Sequence, residues 1–138
     1  MALELLARRE HSRAELKRKL RRREFEADVI DLALDALAES GAQSDARFVG
    51  AYIQSRVNRG FGPLRIAAEL RERGIGASDS ELRGGYDWTE LCRSLRDRRF
   101  GGASASTRRE WQRRARFLYS RGFPESIVRQ VLGPIRPG

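Results

Sequence analysis

The side chains best able to do covalent chemistry occur once each in this chain: Cys92 and His11. A single cysteine permits no intramolecular disulfide and no cysteine-rich metal site. Cys92 falls in helical register with Trp88, Leu91 and Leu95, the pattern of a core position. His11 stands just before a helix start at Ser12 and reads as a solvated or cap-flanking residue. Asp28, Asp31 and Asp35 are the one carboxylate group dense enough to suggest metal-assisted hydrolysis. Their spacing puts them on one exposed helix face, where solvation or salt bridging is the expected role. No Ser/His/Asp set and no carboxylate pair at catalytic spacing accompanies them. The expectation is a protein that is not an enzyme and carries no cofactor and no metal.

What the chain has in abundance is cationic hydrogen-bond donors. Its 138 residues carry a formal net charge of +9 and a sequence pI of about 11.0. Such a balance favours polyanionic partners. The charge is banded: +5 over residues 1–25, −6 over 26–46, +4 over 47–77, −2 over 78–97 and +8 over 98–138. Arginine far outnumbers lysine, which genome composition alone can produce, and any one arginine reads equally well as a solvated charge. Neither point accounts for the banding. Candidate contacts to phosphate or to an acidic protein surface are Arg13, Lys17 and Arg21 in the first band, Arg56, Arg59 and Arg65 in the second, and Arg109, Arg113 and Arg116 in the last.

The elements that must position these charges are helices. No stretch alternates apolar and polar residues over strand length, whereas capping signals are dense. One pattern recurs three times, as KRKLRRREF (Lys17 to Phe25), AAELRERGI (Ala67 to Ile75) and ARFLYSRGF (Ala115 to Phe123), with Leu20/Phe25, Leu70/Ile75 and Leu118/Phe123 identically spaced. A period near fifty residues marks a repeat architecture whose units cover each other's apolar faces. The expected fold is all-α, three tandem three-helix repeats over residues 1–43, 44–86 and 87–138 in an elongated, curved array.

In the first repeat Ser12 and Glu15 form a capping box, Leu16 and Leu20 make a narrow seam, and a third helix from Glu26 is expected to bury Val29, Ile30, Ala33, Leu34 and Leu37 before Gly41 stops it. The second opens near Ser44 with an apolar arc of Phe48, Val49, Tyr52, Ile53 and Val57. Arg56 projects into that arc and must snorkel or find a partner. Pro63 starts the next helix, Arg65 and Glu69 are spaced to pair, and a short helix capped by Ser78 and Glu81 is expected to end at Gly84 and Gly85. In the third repeat Asp87 with Glu90 and Thr107 with Glu110 cap two helices. Between them, FGGASAST (Phe100 to Thr107) reads as a flexible connector. Pro124 starts the last helix, with Ile127, Val128 and Val131 inward. No apolar run approaches the roughly twenty residues that span a bilayer, and no secretory signal opens the sequence, so a cytoplasmic protein is expected.

The runs LLARREHSRAELKRKL (Leu5 to Leu20), SDARFVGAYIQSR (Ser44 to Arg56) and GFGPLRIAAELRERGI (Gly60 to Ile75), in this order, resemble the RecX family of recombination regulators. The resemblance covers essentially the whole chain, and its middle block is the most specific part. It implies tandem three-helix repeats lying in the groove of a RecA filament on DNA. It further implies inhibition of RecA strand exchange, of DNA-dependent ATP hydrolysis and of the co-protease function that triggers the SOS response. The implied partners are the RecA filament and, weakly and without sequence preference, single- and double-stranded DNA, met by a monomer. Two positions depart from the pattern: Glu24 stands where the other repeats have Gly74 and Gly122, and Ser44 stands beside Asp45 where a second acid is usual. A direct DNA-binding protein using helix-turn-helix-like repeats is the alternative, separable by a labelled-DNA titration without RecA. A helical adaptor with protein partners alone is the third reading.

Overall fold

The computed structural model describes residues 1–76, 82 and 85–135. Among these residues the fold is all-helical, with no strand. The helices are α1 (Ala2–Arg8), α2 (Arg13–Arg22), α3 (Ala27–Glu39), α4 (Asp45–Asn58), α5 (Pro63–Glu72), α6 (Trp88–Phe100), α7 (Arg108–Ser120) and α8 (Glu125–Leu132). The expected short helix with Ser78, Glu81 and Gly84 lies outside the described residues. None of these helices is long and apolar enough to cross a membrane.

Helix starts follow the caps. Ser12 accepts from the Glu15 amide while the Glu15 carboxylate accepts from the Ser12 amide, a closed capping box. Asp87 and Thr107 accept from the amides of Glu90 and Glu110. Pro63 occupies the first helical position of α5, where a missing N–H costs nothing.

The chain divides into two compact units, one of Met1–Ile53 with Glu69–Ala77 and one of Gln54–Ala68 with Ser78–Gly138. In the first, Leu16 and Leu20 of α2 meet Ile30 and Leu34 of α3, flanked by Met1, Ala2, Leu5, Leu6 and Leu37. Val29 and Ala33, expected inside, are exposed, because the contact with the narrow two-leucine seam of α2 uses only the Ile30–Leu34–Leu37 line of α3. In the second unit α6, α7 and α8 pack on one another, burying Trp88, Cys92 and Leu95, Trp111, Ala115 and Leu118, and Val128 and Val131. Burial pushes the Cys92 thiol up to about 12, which leaves it an inert core group.

The connector at Phe100–Thr107 is tied down rather than loose. Phe100 still belongs to α6 and meets Phe117 edge-on at 5.6 Å, Ala105 is buried, and the Arg114 guanidinium donates to the Ala103 carbonyl at 2.8 Å. Small residues let the chain run close to α7, and the sequence signal for that closeness is the same as for flexibility.

Each unit contains one junction between successive repeats, and the two use equivalent C-terminal turns as acceptors. In the first unit the Ser12 hydroxyl donates to the Arg73 carbonyl at 3.1 Å and Arg18 donates to the Glu72 carbonyl at 3.3 Å. In the second the Gly62 amide donates to the Arg121 carbonyl at 2.7 Å and Arg65 donates to the Ser120 carbonyl at 3.2 Å. The start of one middle helix thus receives the C-terminal turn of the next. These turns need Gly74 and Gly122: their φ angles are +81° and +99°, and a Cβ would stand 2.5 Å from Ala14 Cβ or 2.4 Å from Arg65 Cβ. Glu24, at the same place in the first repeat, has φ +64° and is exposed. There the left-handed turn survives without glycine.

Candidate functional site

Two cationic surfaces emerge, one in each unit. On α2 the residues facing α3 and those facing away have different fates. Arg13 pairs with Asp35 at 2.7 Å and Lys17 with Asp31 at 3.3 Å, so the first acidic band covers part of the first basic band. The salt-bridging role expected for the α3 carboxylates is therefore present at Asp31 and Asp35. Arg21 is exposed and has no ion pair among the described residues. On the other side of α2, Arg18, Lys19 and Arg22 join Glu15, Glu72 and Arg73 around a cleft of about 270 Å³. Glu15 is committed elsewhere: burial raises its pKa, but bonds from Arg9 and the Ser12 amide outweigh that and hold it below the ordinary value. Arg18 and Arg22 have no ion pair among the described residues, which leaves the cleft cationic.

His11 does not line this cleft but is bonded to one of its lining side chains, Lys19. Of the two roles expected for it, it takes the cap-flanking one, directly before the N-cap Ser12, and not the solvated one, since it is 2% exposed. Its Nδ1 lies 3.1 Å from the Arg9 carbonyl and its Nε2 lies 2.8 Å from Lys19 Nζ. Burial first, then the nearby cations Arg9 and Lys19, lower its pKa from 6.5.

The second surface is a run of alternating guanidinium groups and phenyl rings. Arg56, Arg65 and Arg121 lie 4.0, 4.3 and 4.8 Å from the Phe61 ring centroid. Arg121 also reaches Phe117 at 5.2 Å, where Arg99 stacks at 4.9 Å, and Arg113 and Arg114 lie over Phe100 at 5.4 and 5.2 Å. The partner that Arg56 requires is therefore an aromatic face. Stacking of this kind fixes guanidinium planes, and several of their N–H edges are already used: Arg65 donates to the Ser120 carbonyl, and Arg114 donates to Glu110 and the Ala103 carbonyl. Along α7, Arg109 and Arg116 are exposed, whereas Arg113 makes a two-bond pair with Glu110 at 2.8 and 3.0 Å. Bonds from Arg113 and Arg114 hold the Glu110 carboxyl down to about 2. Arg59 is exposed at the end of α4.

Of the nine positions singled out by sequence, the structure gathers Arg56 and Arg65 on Phe61, aligns Arg109, Arg113 and Arg116 on α7, and turns Arg13 and Lys17 toward α3. The nine positions do not include Arg18, Lys19 and Arg22 of the cleft, nor Arg99 and Arg121 of the stacked run. The available signal for the latter pair was aromatic interleaving, with Phe61, Phe100 and Phe117 set among arginines. No metal-holding cluster of carboxylates, histidine and cysteine occurs among the described residues.

The chain matches three family domains in succession: the first three-helix domain of RecX over residues 1–37, the second over 44–81 and the third over 86–132. A "Regulatory protein RecX" of Halorhodospira halophila is 47% identical over 131 residues, covering 93% of this chain and 81% of that protein. One from Pseudomonas savastanoi pv. phaseolicola is 44% identical over 134 residues, covering 95% and 86%. The crystal structure of RecX from Lactobacillus salivarius superposes with a TM-score of 0.76 over 94% of this chain and 88% of that one, at 22% identity, a likeness of fold.

Proposed function

This chain belongs to the RecX family and has a regulatory role, and from that premise we propose that its target is the RecA filament on DNA. It inhibits RecA ATP hydrolysis, strand exchange and co-protease activity, and so modulates DNA repair and the SOS response. The repeats responsible span residues 1–43, 44–86 and 87–138 and act as a cytoplasmic monomer. Family membership over nearly the whole chain is the observation that carries this reading. The two cationic surfaces add a physical means. Arg18 and Arg22 in the α2 cleft, the Phe61–Phe117 arginines, and Arg109 with Arg116 are suited to phosphate oxygens and to acidic protein surface. Arg13 and Lys17 engage only by exchanging their carboxylate partners, which exposed ion pairs do at little cost.

The test is RecA-stimulated ATP hydrolysis on single-stranded DNA with this protein titrated in. Inhibition well below one molecule per RecA protomer is expected, since a ligand that acts on a filament need not cover it. Undiminished hydrolysis at equimolar protein overturns the proposal. Replacing Arg109, Arg113 and Arg116 together with Ala should weaken inhibition while helicity is kept, and unchanged inhibition removes α7 from the interface. Tight, sequence-selective binding to duplex DNA without RecA would instead favour the direct DNA-binding alternative.

A further inference from the structure

The hydrogen bonds of His11 fix its tautomer. The Arg9 carbonyl can only accept, so Nδ1 carries the proton and donates to it. Nε2 therefore presents a lone pair to the Lys19 ammonium, which can only donate, at 2.8 Å. Lys19 also lines the cleft, where four cationic residues, with Arg18, Arg22 and Arg73, outnumber the acidic Glu15 and Glu72. Lys19 thus stands between two acceptors, a neutral imidazole behind it and whatever anion enters the cleft in front.

We propose that the α2 cleft is a binding site for phosphate-like oxyanions, and that Lys19 turning to the anion lets His11 take up a proton at Nε2. Anion binding and His11 protonation are then one linked event. This rests on the reading above in that the natural anion would be a nucleic-acid phosphate. With Lys19 on Nε2, protonation would set two donors and two positive charges against each other. With Lys19 drawn to the anion, both conflicts are relieved. The charged groups facing His11 are Arg9 and Lys19, which oppose its protonation, and Glu15, which favours it; from the α3–α4 turn, Gln43 presents only an uncharged amide, to the His11 carbonyl. Reciprocity follows: an anion raises the His11 pKa, and acid raises anion affinity, about tenfold for each pH unit by which binding moves the titration.

His11 is the only histidine in the chain, so one imidazole signal reports the whole effect. The experiment follows its NMR titration in the full-length protein, free, with an oligothymidylate, and with inorganic sulfate, neither of which titrates between pH 5 and 8. A midpoint about one pH unit higher in the presence of the oligonucleotide supports the linkage with a backbone phosphate, that being the range over which one neighbouring charge acts. The same movement with sulfate alone supports a cleft for small oxyanions. Lys19→Met should raise the midpoint of the free protein and abolish its dependence on either anion. Lys19→Gln, which keeps a donor for Nε2 without charge, should give the same loss of dependence should the first variant fold poorly. An unmoved midpoint with oligonucleotide demonstrably bound overturns this inference and leaves the filament reading intact. Moved midpoints with RecA hydrolysis unaffected would support the inference and overturn the filament reading.

Discussion

Along α2 the cations Arg13 and Lys17 face Asp35 and Asp31 of α3, whereas along α7 Arg109 and Arg116 meet no carboxylate among the described residues, and Arg113 is held by Glu110 of its own helix. In sequence the two stripes look alike, cations three or four apart opposite an apolar seam, Leu16 and Leu20 in α2 and Trp111, Ala115 and Leu118 in α7. What separates them is the neighbour. The helix following α2 is rich in aspartate, so charge complementarity there is spent inside the fold. The helix following α7 carries Glu125, which pairs with Arg129 of the same helix. A basic stripe is therefore an available surface only where the next helix leaves it open, and periodicity alone does not report that.

The ends of the two helices sharpen the contrast and give the largest expected effect. α2 turns at Glu24, exposed, while α7 turns at Gly122, pressed against Arg65. Gly122→Ala has both a left-handed backbone to strain and a Cβ 2.4 Å from Arg65 Cβ. It should cost about 3 kcal/mol from those two causes together, read as a loss of roughly 10 °C in thermal midpoint. A loss under 1 kcal/mol would mean the junction slides apart without penalty.

Next in size is the division of α2 into an open and a covered face. Arg18→Ala with Arg22→Ala should weaken inhibition of RecA about tenfold and flatten the dependence of log affinity on log salt by roughly 1.4 to 1.8, the loss of two phosphate contacts. Arg13→Ala with Lys17→Ala should change inhibition by no more than about twofold, the scale of exposed ion pairs. Equal effects from the two pairs would erase the distinction between the faces.

How much of this was readable beforehand differs by level. Caps at Ser12, Asp87 and Thr107, the seam of Leu16 and Leu20, and the core register of Cys92 are local properties, set by residues within one or two turns, and the sequence carries them openly. Helical spacing puts Val29 and Ala33 in the apolar arc of α3, but spacing does not say how much of an arc a partner covers. The partner of Arg56 lies five residues ahead, at Phe61, across a break whose geometry the spacing does not fix. The cleft residues Arg18, Lys19 and Arg22 were invisible for a different reason. Their significance depends on Glu72 and Arg73, brought over by a junction that only the folded chain contains. The departure at Glu24, by contrast, is visible in the sequence, and its cause is physical: Gly74 and Gly122 are pressed against a neighbouring helix, whereas Glu24 is exposed.

That cause predicts a smaller effect of opposite sign. Glu24→Gly should stabilise the protein by about 0.5 to 1 kcal/mol, because the left-handed backbone that glutamate tolerates is free for glycine, offset by the entropy that glycine regains when unfolded. Chemical denaturation of the two proteins checks it. Destabilisation would show that the Glu24 side chain makes a contribution larger than its strain.

The smallest effect concerns acid, and it again sets α2 against α7. His11 holds a proton less readily in the fold than its ordinary 6.5, so below that pH the unfolded chain binds more protons and stability around α2 falls as pH drops. Glu110 is displaced the other way relative to its charge, held to about 2 from 4.5. Its contribution is complete above 4.5 and is lost only as pH falls from there toward 2, and solvent screening of a surface ion pair keeps it modest. Glu15, also held below its ordinary 4.5, begins to lose its contribution below that pH, so the α2 region meets two losses in succession and α7 one. Amide exchange, corrected for its intrinsic pH dependence, should show the Leu16 and Leu20 amides beginning to lose protection as pH falls below 6.5 while the Leu118 amide keeps its own. Simultaneous loss at all three would place the acid-sensitive group outside the His11 site.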